Sequence, residues 1–327
     1  MTEIRVDPIS GHRTIVARDR AQRPGAFFAI DPPPPIDVAE DPFATGHEDQ
    51  TPPELYAVRP DGSAADTPGW TVRVVPNRYP ALTPDASEPV PQPDRDLFTA
   101  APATGGHEVI VNAPDAVHSL SDLPVEQVAA AMATWRERMR AHAGAACRHL
   151  IVNERREAGA SLPHTHAQLY AFDFVPAAIA RERERFGAYA TRTMGAGNLL
   201  GDLVQEEVRR RERVVAVDEE AVLLAPWASH SPLQLMLVPR RPAPRFEDAG
   251  PAGAALLHDA LRRLRAHFGA TPPLNLWIRS APRGADSFCW RIDIVPRLTA
   301  PAGLELGAGV DLCIVAPEQA AAALREL

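Results

Sequence analysis

Residues 159–170 read G-A-S-L-P-H-T-H-A-Q-L-Y, and this stretch holds the side chains best suited to chemistry. Alternate residues of a β-strand share a face. His164, His166 and Gln168 are therefore expected to project together, with Ser161 brought close by the turn residues Gly159 and Pro163. An imidazole nucleophile beside a second imidazole, an amide and a hydroxyl suits attack on phosphorus. The histidine would carry the transferred group while the others hold its non-bridging oxygens. From the spacing alone two plainer readings stay open. H-x-H on a strand also supplies two ligands to a metal such as zinc, and it occurs on polar strand faces that do no chemistry.

Such a row needs elements around it to hold it still. The chain has 327 residues, enough for two domains or one duplicated unit. A strand is predicted at 107–112, H-E-V-I-V-N. A helix follows from near Asp122 and Pro124, with Val125, Val128, Met132, Trp135 and Met139 at helical spacing. A strand at 149–152 then leads to H-T-H-A-Q. The second half repeats the order: a strand P-L-Q-L-M-L-V-P, a helix carrying Leu257, Leu261, Leu264 and Phe268 and stopped by Gly269, a strand L-N-L-W-I, and finally F-C-W-R-I-D-I-V-P-R. Cys289, Arg291 and Asp293 fall where the reactive row would lie. The expected class is α+β, a duplicated unit of mainly antiparallel sheet with flanking helices. A catalytic half spans 1–195 and a degenerate half 196–327. Antiparallel pairing is favoured because the last two strands join by a loop too short for a crossover helix. Pro-rich polar stretches at 31–53 and 83–106 read as long surface loops, with a strand at 70–75 between them.

The net charge of −8 argues against a general nucleic-acid binder. Lysine is absent, so every positive side chain is arginine, which suits a bidentate grip on phosphate. Cys147, Cys289 and Cys313 are widely spaced and odd in number, and imply neither a disulfide framework nor a C-x-x-C zinc site. The start, M-T-E-I-R-V-D-P, has no signal-peptide core, and no apolar run reaches membrane-spanning length. A cytoplasmic protein without membrane contact is expected.

The chain resembles the galactose-1-phosphate uridylyltransferase family, the transferase branch of the histidine-triad superfamily. The resemblance runs through R-V-D-P-I-S-G, R-D-R-A-Q-R-P, T-P-P-E-L-Y-A-V, V-V-P-N-R-Y-P-A-L, G-G-H-E-V-I-V-N-A-P-D, A-G-A-S-L-P-H-T-H-A-Q, I-D-I-V-P-R-L and A-P-E-Q-A-A, in that order. It implies two histidine-triad-like halves and a nucleotidylyltransferase working between a nucleotide sugar and a sugar phosphate, as in galactose metabolism. By position it implies His166 as the residue that accepts a nucleoside monophosphate, with His164 beside it. Gln168, Ser161 and Asn153 would hold the phosphates, Arg20 and Arg23 would frame the nucleotide, and Asn77 would lie near base and ribose. A homodimer and no cofactor go with it. Gln168 favours transfer over hydrolysis, because an amide holds oxygens without titrating, whereas a third histidine would activate water. The alternatives are a phosphorylase or hydrolase of nucleotide sugars, and a relative that binds nucleotides without turnover.

The chain departs from the family at the metal positions. Many relatives have C-P-x-C where this chain has D-P-F-A, so Asp41 and Ala44 replace thiolates, and Ala116 stands at the upstream histidine. Only His164 survives, and one imidazole cannot build a tetrahedral site. A relocated site would have to draw on His47 and His118. At a second metal position Glu182 is retained, but Arg279 and Arg291 replace histidines. A guanidinium is no metal ligand, so an ion pair from Glu182 to Arg279 or Arg291 is expected instead, and no metal. Near the C-terminus no lysine is available to grip a hexose phosphate, and Asp311 would repel one.

Overall fold

The computed structural model describes residues 2–88 and 97–327; residues 89–96 of the predicted 83–106 loop lie outside the described residues. Strands β1 (Glu3–Val6) and β2 (Arg13–Val16) open the chain. They are followed by β3 (Tyr56–Val58), β4 (Val72–Pro76), β5 (Gly105–Val111), helix α1 (Val125–Ala141), β6 (Cys147–Glu154) and β7 (His166–Phe172). Helices α2 (Ala177–Arg192) and α3 (Leu199–Arg210) lead into β8 (Val214–Val217), β9 (Ala221–Leu224) and β10 (Leu235–Pro239). Then come α4 (Ala254–Phe268), β11 (Leu274–Arg279), β12 (Arg291–Pro296), α5 (Gly303–Ala308), β13 (Val310–Cys313) and α6 (Pro317–Arg325).

Among the described residues ten strands form one antiparallel sheet in the order β3-β4-β5-β7-β6-β11-β12-β10-β9-β8. Read outward from the middle, β6-β7-β5-β4-β3 and β11-β12-β10-β9-β8 are the same arrangement twice, joined at the β6–β11 seam. The expected boundary near 195 falls in the turn between α2 and α3. A separate three-stranded sheet, β1-β2-β13, ties the N-terminal strands to the C-terminal one, which runs parallel to β2.

Alternation decides which face is buried. Ala167 and Leu169 of β7 point into the main core, where α1 lays Val128, Met132, Trp135 and Met139. In the second half Leu257, Leu261 and Leu264 of α4 do the same for Leu276, Ile278, Ile292 and Ile294. Gly269 ends α4 at φ +72°, a conformation glycine adopts without steric cost. The opposite face of the sheet is thereby left to the polar rows.

Candidate active site

On that polar face His166 and Gln168 project together from β7, as the alternation requires. The row does not extend back to His164, because β7 begins at His166 and His164 lies in the preceding bend. His164 is wholly buried. Its Nδ1 donates to Asp41 Oδ2 at 2.7 Å and its Nε2 to the Ala113 carbonyl at 2.9 Å. Both nitrogens are consumed, so His164 presents no free imidazole edge to a substrate. Its backbone does the work at the site: the His164 carbonyl accepts from His166 Nδ1 at 2.8 Å. That bond puts the proton on Nδ1 and leaves the His166 Nε2 lone pair free. Burial pushes the His166 pKa below its ordinary value, outweighing the hydrogen bond to the His164 carbonyl, so the ring stays unprotonated at neutral pH. Phe43 packs edge-on against the His166 ring, centroids 5.3 Å apart.

The segment that carries cysteines in many relatives thus has another use here. Burial would raise the Asp41 carboxyl, but the His164 hydrogen bond and the Phe43 amide bring it below the ordinary carboxylate range. Ala44 and Ala116 offer no donor atom. His47 Nδ1 is held by the Asp41 carbonyl and His118 Nε2 by that of Pro34. Among the described residues no three His, Cys, Asp or Glu side chains are grouped to hold a metal ion. The residues present do not fit a zinc site.

Asn153, near the end of β6, lies one step beyond the Val152–Ala167 pair and so sits across from His166. The loop from β6 to β7 returns through Gly159 at φ +91°, where a built Cβ would lie 3.9 Å from Asn153 Nδ2. Ser161 is exposed on this loop and makes no hydrogen bond among the described residues. Glu154, the next residue along β6, turns the other way. Burial pushes its carboxyl up to about 7, against the Ser119 hydroxyl at 2.6 Å and the Leu120 amide at 2.8 Å.

Gln168 meets a group the sequence reading did not single out. His107 and Tyr170 are cross-strand partners on β5 and β7, and their rings stack with centroids 4.1 Å apart. His107 Nε2 is 3.0 Å and Tyr170 Oη 3.3 Å from Gln168 Oε1. Asn77 Nδ2 lies 3.1 Å from His107 Nε2, so Asn77 joins this cluster. Arg20 and Arg23 do not. They are exposed and line another hollow with Ile15, Ala300, Leu304 and Ile314. The signal that would have revealed His107 and Tyr170 is the alternation itself: Tyr170 continues the His166–Gln168 row, and G-G-H-E-V is the adjacent strand.

Residues 2–176, more than half of the chain, match the family described as galactose-1-phosphate uridyl transferase, N-terminal domain. The chain belongs to that family. An ADP-glucose phosphorylase of Arabidopsis thaliana is 27% identical over 339 residues, spanning 99% of this chain and 93% of the relative. A probable galactose-1-phosphate uridylyltransferase of Drosophila melanogaster is 26% identical over 347 residues, 99% and 94% of the two chains. The crystal structure of the Arabidopsis ADP-glucose phosphorylase with bound ADP-glucose superimposes with a TM-score of 0.82 at 25% identity. It covers 100% of this chain and 99% of that one. Nucleotidyl transfer is the broad kind of activity this membership carries.

The equivalent row of the second half is closed by charge. Arg291 takes the place of His166, and its two terminal nitrogens meet the Glu182 oxygens at 3.0 and 2.9 Å. Its Nε reaches Asp293 at 3.1 Å, and Arg279 stands 3.4 Å from Glu182. An ion pair from Glu182 to either arginine was expected, and both form. Burial would raise Glu182, but Arg291 and Arg279 outweigh it and hold the carboxyl below its usual range.

Proposed function

We propose that the protein takes a nucleoside monophosphate from a nucleotide sugar onto His166 and passes it to a phosphate acceptor. The observation that carries this is the hydrogen bond from His166 Nδ1 to the His164 carbonyl. It leaves Nε2 as a free nucleophilic atom, on a strand position next to Gln168 and across from Asn153. The Nε2 lone pair attacks the α-phosphorus, the bond to the bridging oxygen breaks, and the sugar 1-phosphate departs with that electron pair. Positive charge develops on the ring as the N–P bond forms, and the His164 carbonyl stabilises it through the retained Nδ1 proton. Gln168, Asn153 and Ser161 hold the non-bridging oxygens, and Asn77 lies on the nucleoside side. An acceptor phosphate oxygen then attacks the same phosphorus, the N–P bond breaks and Nε2 recovers its lone pair.

In the uridylyltransferase reading the acceptor is a hexose 1-phosphate. End-to-end similarity to an ADP-glucose phosphorylase favours a second reading, in which orthophosphate is the acceptor and a nucleoside diphosphate the product. The absence of any lysine near the C-terminus supports it. A homodimer is part of the proposal. Arg20 and Arg23 share no hydrogen bond with the His166 group among the described residues, and a second copy would bring them to the site. The exposed Ile4 and Val6 of β1 offer it an apolar edge.

Mass spectrometry after incubation with UDP-glucose or ADP-glucose, without acceptor, tests the reading. One nucleoside monophosphate should be added to His166 in the native protein and none in His166→Ala, and the added mass names the base. Release of the adduct by orthophosphate or by galactose 1-phosphate identifies the acceptor. Near-native turnover in His166→Ala overturns the proposal.

A further inference from the structure

The two amides at the site could each point either way round, and only their –NH2 ends can donate to phosphoryl oxygens. The structure fixes both, and each fixing includes a relay side chain anchored on a backbone group. Gln168 is held through His107. The Ala81 amide, which can only donate, points at His107 Nδ1 from 3.1 Å, so Nδ1 accepts and the ring proton sits on Nε2. That proton faces Gln168 Oε1 at 3.0 Å, and the Tyr170 hydroxyl donates to the same oxygen at 3.3 Å. Both lone-pair directions of Oε1 are used. Asn77 does not take the ring proton: the atom it places 3.1 Å from His107 Nε2 is its Nδ2, itself a donor, so that approach is no hydrogen bond once Nε2 is protonated, while its Oδ1 accepts from the Tyr79 amide at 2.8 Å. Asn153 is held through Asn275, its direct partner across the β6–β11 seam. The Ala158 carbonyl, which can only accept, takes a hydrogen bond from Asn275 Nδ2 at 2.7 Å. The same nitrogen donates to Asn153 Oδ1 at 2.8 Å. Asn153 Nδ2 is therefore left to face the Gly159 loop.

We infer that His107, Tyr170 and Asn275 are positioning residues that lock Gln168 and Asn153 as donors toward the phosphoryl group. Asn275 gives the second half of the chain a part in chemistry performed by the first. The inference rests on the reading of His166 as the nucleotidyl acceptor. Locking removes the reorganisation otherwise needed when negative charge builds on the phosphoryl oxygens, which is where preorganised donors act. Burial keeps His107 below its ordinary pKa, against the bond to Gln168, so the relay stays a neutral, singly protonated ring.

Double-mutant cycles separate positioning from general support. His107→Phe keeps a ring on Tyr170 and loses the N–H. It is expected to slow adduct formation about tenfold or more while KM moves within about threefold. In a Gln168→Ala background the same change should have almost no effect. Asn275→Leu should behave likewise, with its effect lost in Asn153→Ala. Equal effects in both backgrounds, or an unchanged rate in the single variants, overturn the inference. Should a variant fold poorly, long-range proton–nitrogen spectra of the native protein still decide, since His107 must show its proton on Nε2; a proton on Nδ1 overturns the inference. Failure of the underlying reading looks different: the native protein then forms no adduct with any nucleotide sugar, whatever the His107 tautomer.

Discussion

Replacing Arg291 with methionine removes the guanidinium that closes the second-half row while keeping much of its volume. Glu182 and Asp293 side chains are only 4% and 6% exposed. After the change Glu182 keeps Arg279, 3.4 Å away, and Asp293 keeps the Trp277 indole N–H at 2.8 Å. Two little-exposed carboxylates then face one guanidinium, beside a hollow that Asp7 and His230 also line. The loss should lie toward the top of the range for removing one partner of a buried pair, about 3–5 kcal/mol. Removing both charges, in Glu182→Gln/Arg291→Met, should recover most of it, because replacing a whole buried pair is often near neutral.

Urea unfolding of the native protein and the two variants at neutral pH measures these differences. Acid adds a second handle. In the native protein Glu182 is held below its ordinary value of 4.5. Its contribution is therefore present above that value and is lost as pH falls through the lower folded one. Without Arg291, burial weighs more and the carboxyl rises, so the penalty should shrink as pH drops and a proton is taken up. A loss no larger than that of an exposed ion pair, about 1 kcal/mol or less, would refute this account of the cluster. So would a double variant no more stable than the single one.

Gln168→Ala should lower turnover by roughly 2.7–4 kcal/mol of transition-state stabilisation, the cost of one preorganised donor, with an unchanged melting temperature. Steady-state kinetics and calorimetry check the two halves of that statement. Glu154→Gln should flatten stability against pH. The native carboxyl rises from 4.5 to about 7 on folding, so the native protein should lose up to about 3 kcal/mol between pH 5 and 8 that the variant keeps, as read from parallel urea titrations. Asp41→Ala leaves His164 Nδ1 without its acceptor in a dry site and should cost about 1–3 kcal/mol, measured by denaturant unfolding. Elemental analysis should find neither zinc nor iron in stoichiometric amount, and a chelator should leave melting temperature and activity unchanged.

The strands and helices that frame the site were legible because their signals are periodic. The α1 stripe from Val128 to Met139 and the α4 stripe from Leu257 to Leu264 are both core residues. The doubled order of elements was readable for the same reason. The small sheet was not: β13 pairs with β2 nearly three hundred residues away, and four-residue strands carry little pattern. His166 and Gln168 could be read from alternation. His164 was misplaced by it, because Pro163 and the bend at 161–164 delay the strand until His166. Departures at the metal positions pointed to Glu182–Arg291, where opposite charges name each other. They did not point to Asp41–His164, since an aspartate in a Pro-rich loop looks like a turn residue until its 2.7 Å contact is known. Arg20 and Arg23 lie on a surface whose use a single chain does not reveal.

The two polar rows occupy equivalent places on the sheet and differ in whether any reactive atom is left over. In the second, Arg291 is engaged by Glu182 and Asp293, Asp293 also by Trp277, and Glu182 is further met by Arg279. In the first, every contact to His166, Gln168 and Asn153 is made to one end only. The His164 carbonyl takes Nδ1 and leaves Nε2; His107 and Tyr170 take Oε1 and leave the amide nitrogen; Asn275 takes Oδ1 and leaves Nδ2. Gln168 and Asn153 are half-buried, so their leftover nitrogens, like His166 Nε2, stay open to a ligand. The same backbone geometry can therefore serve as a closed ionic joint or as a site. The second half is tied to the site nonetheless, because the residue that orients Asn153 sits on β11, across the seam.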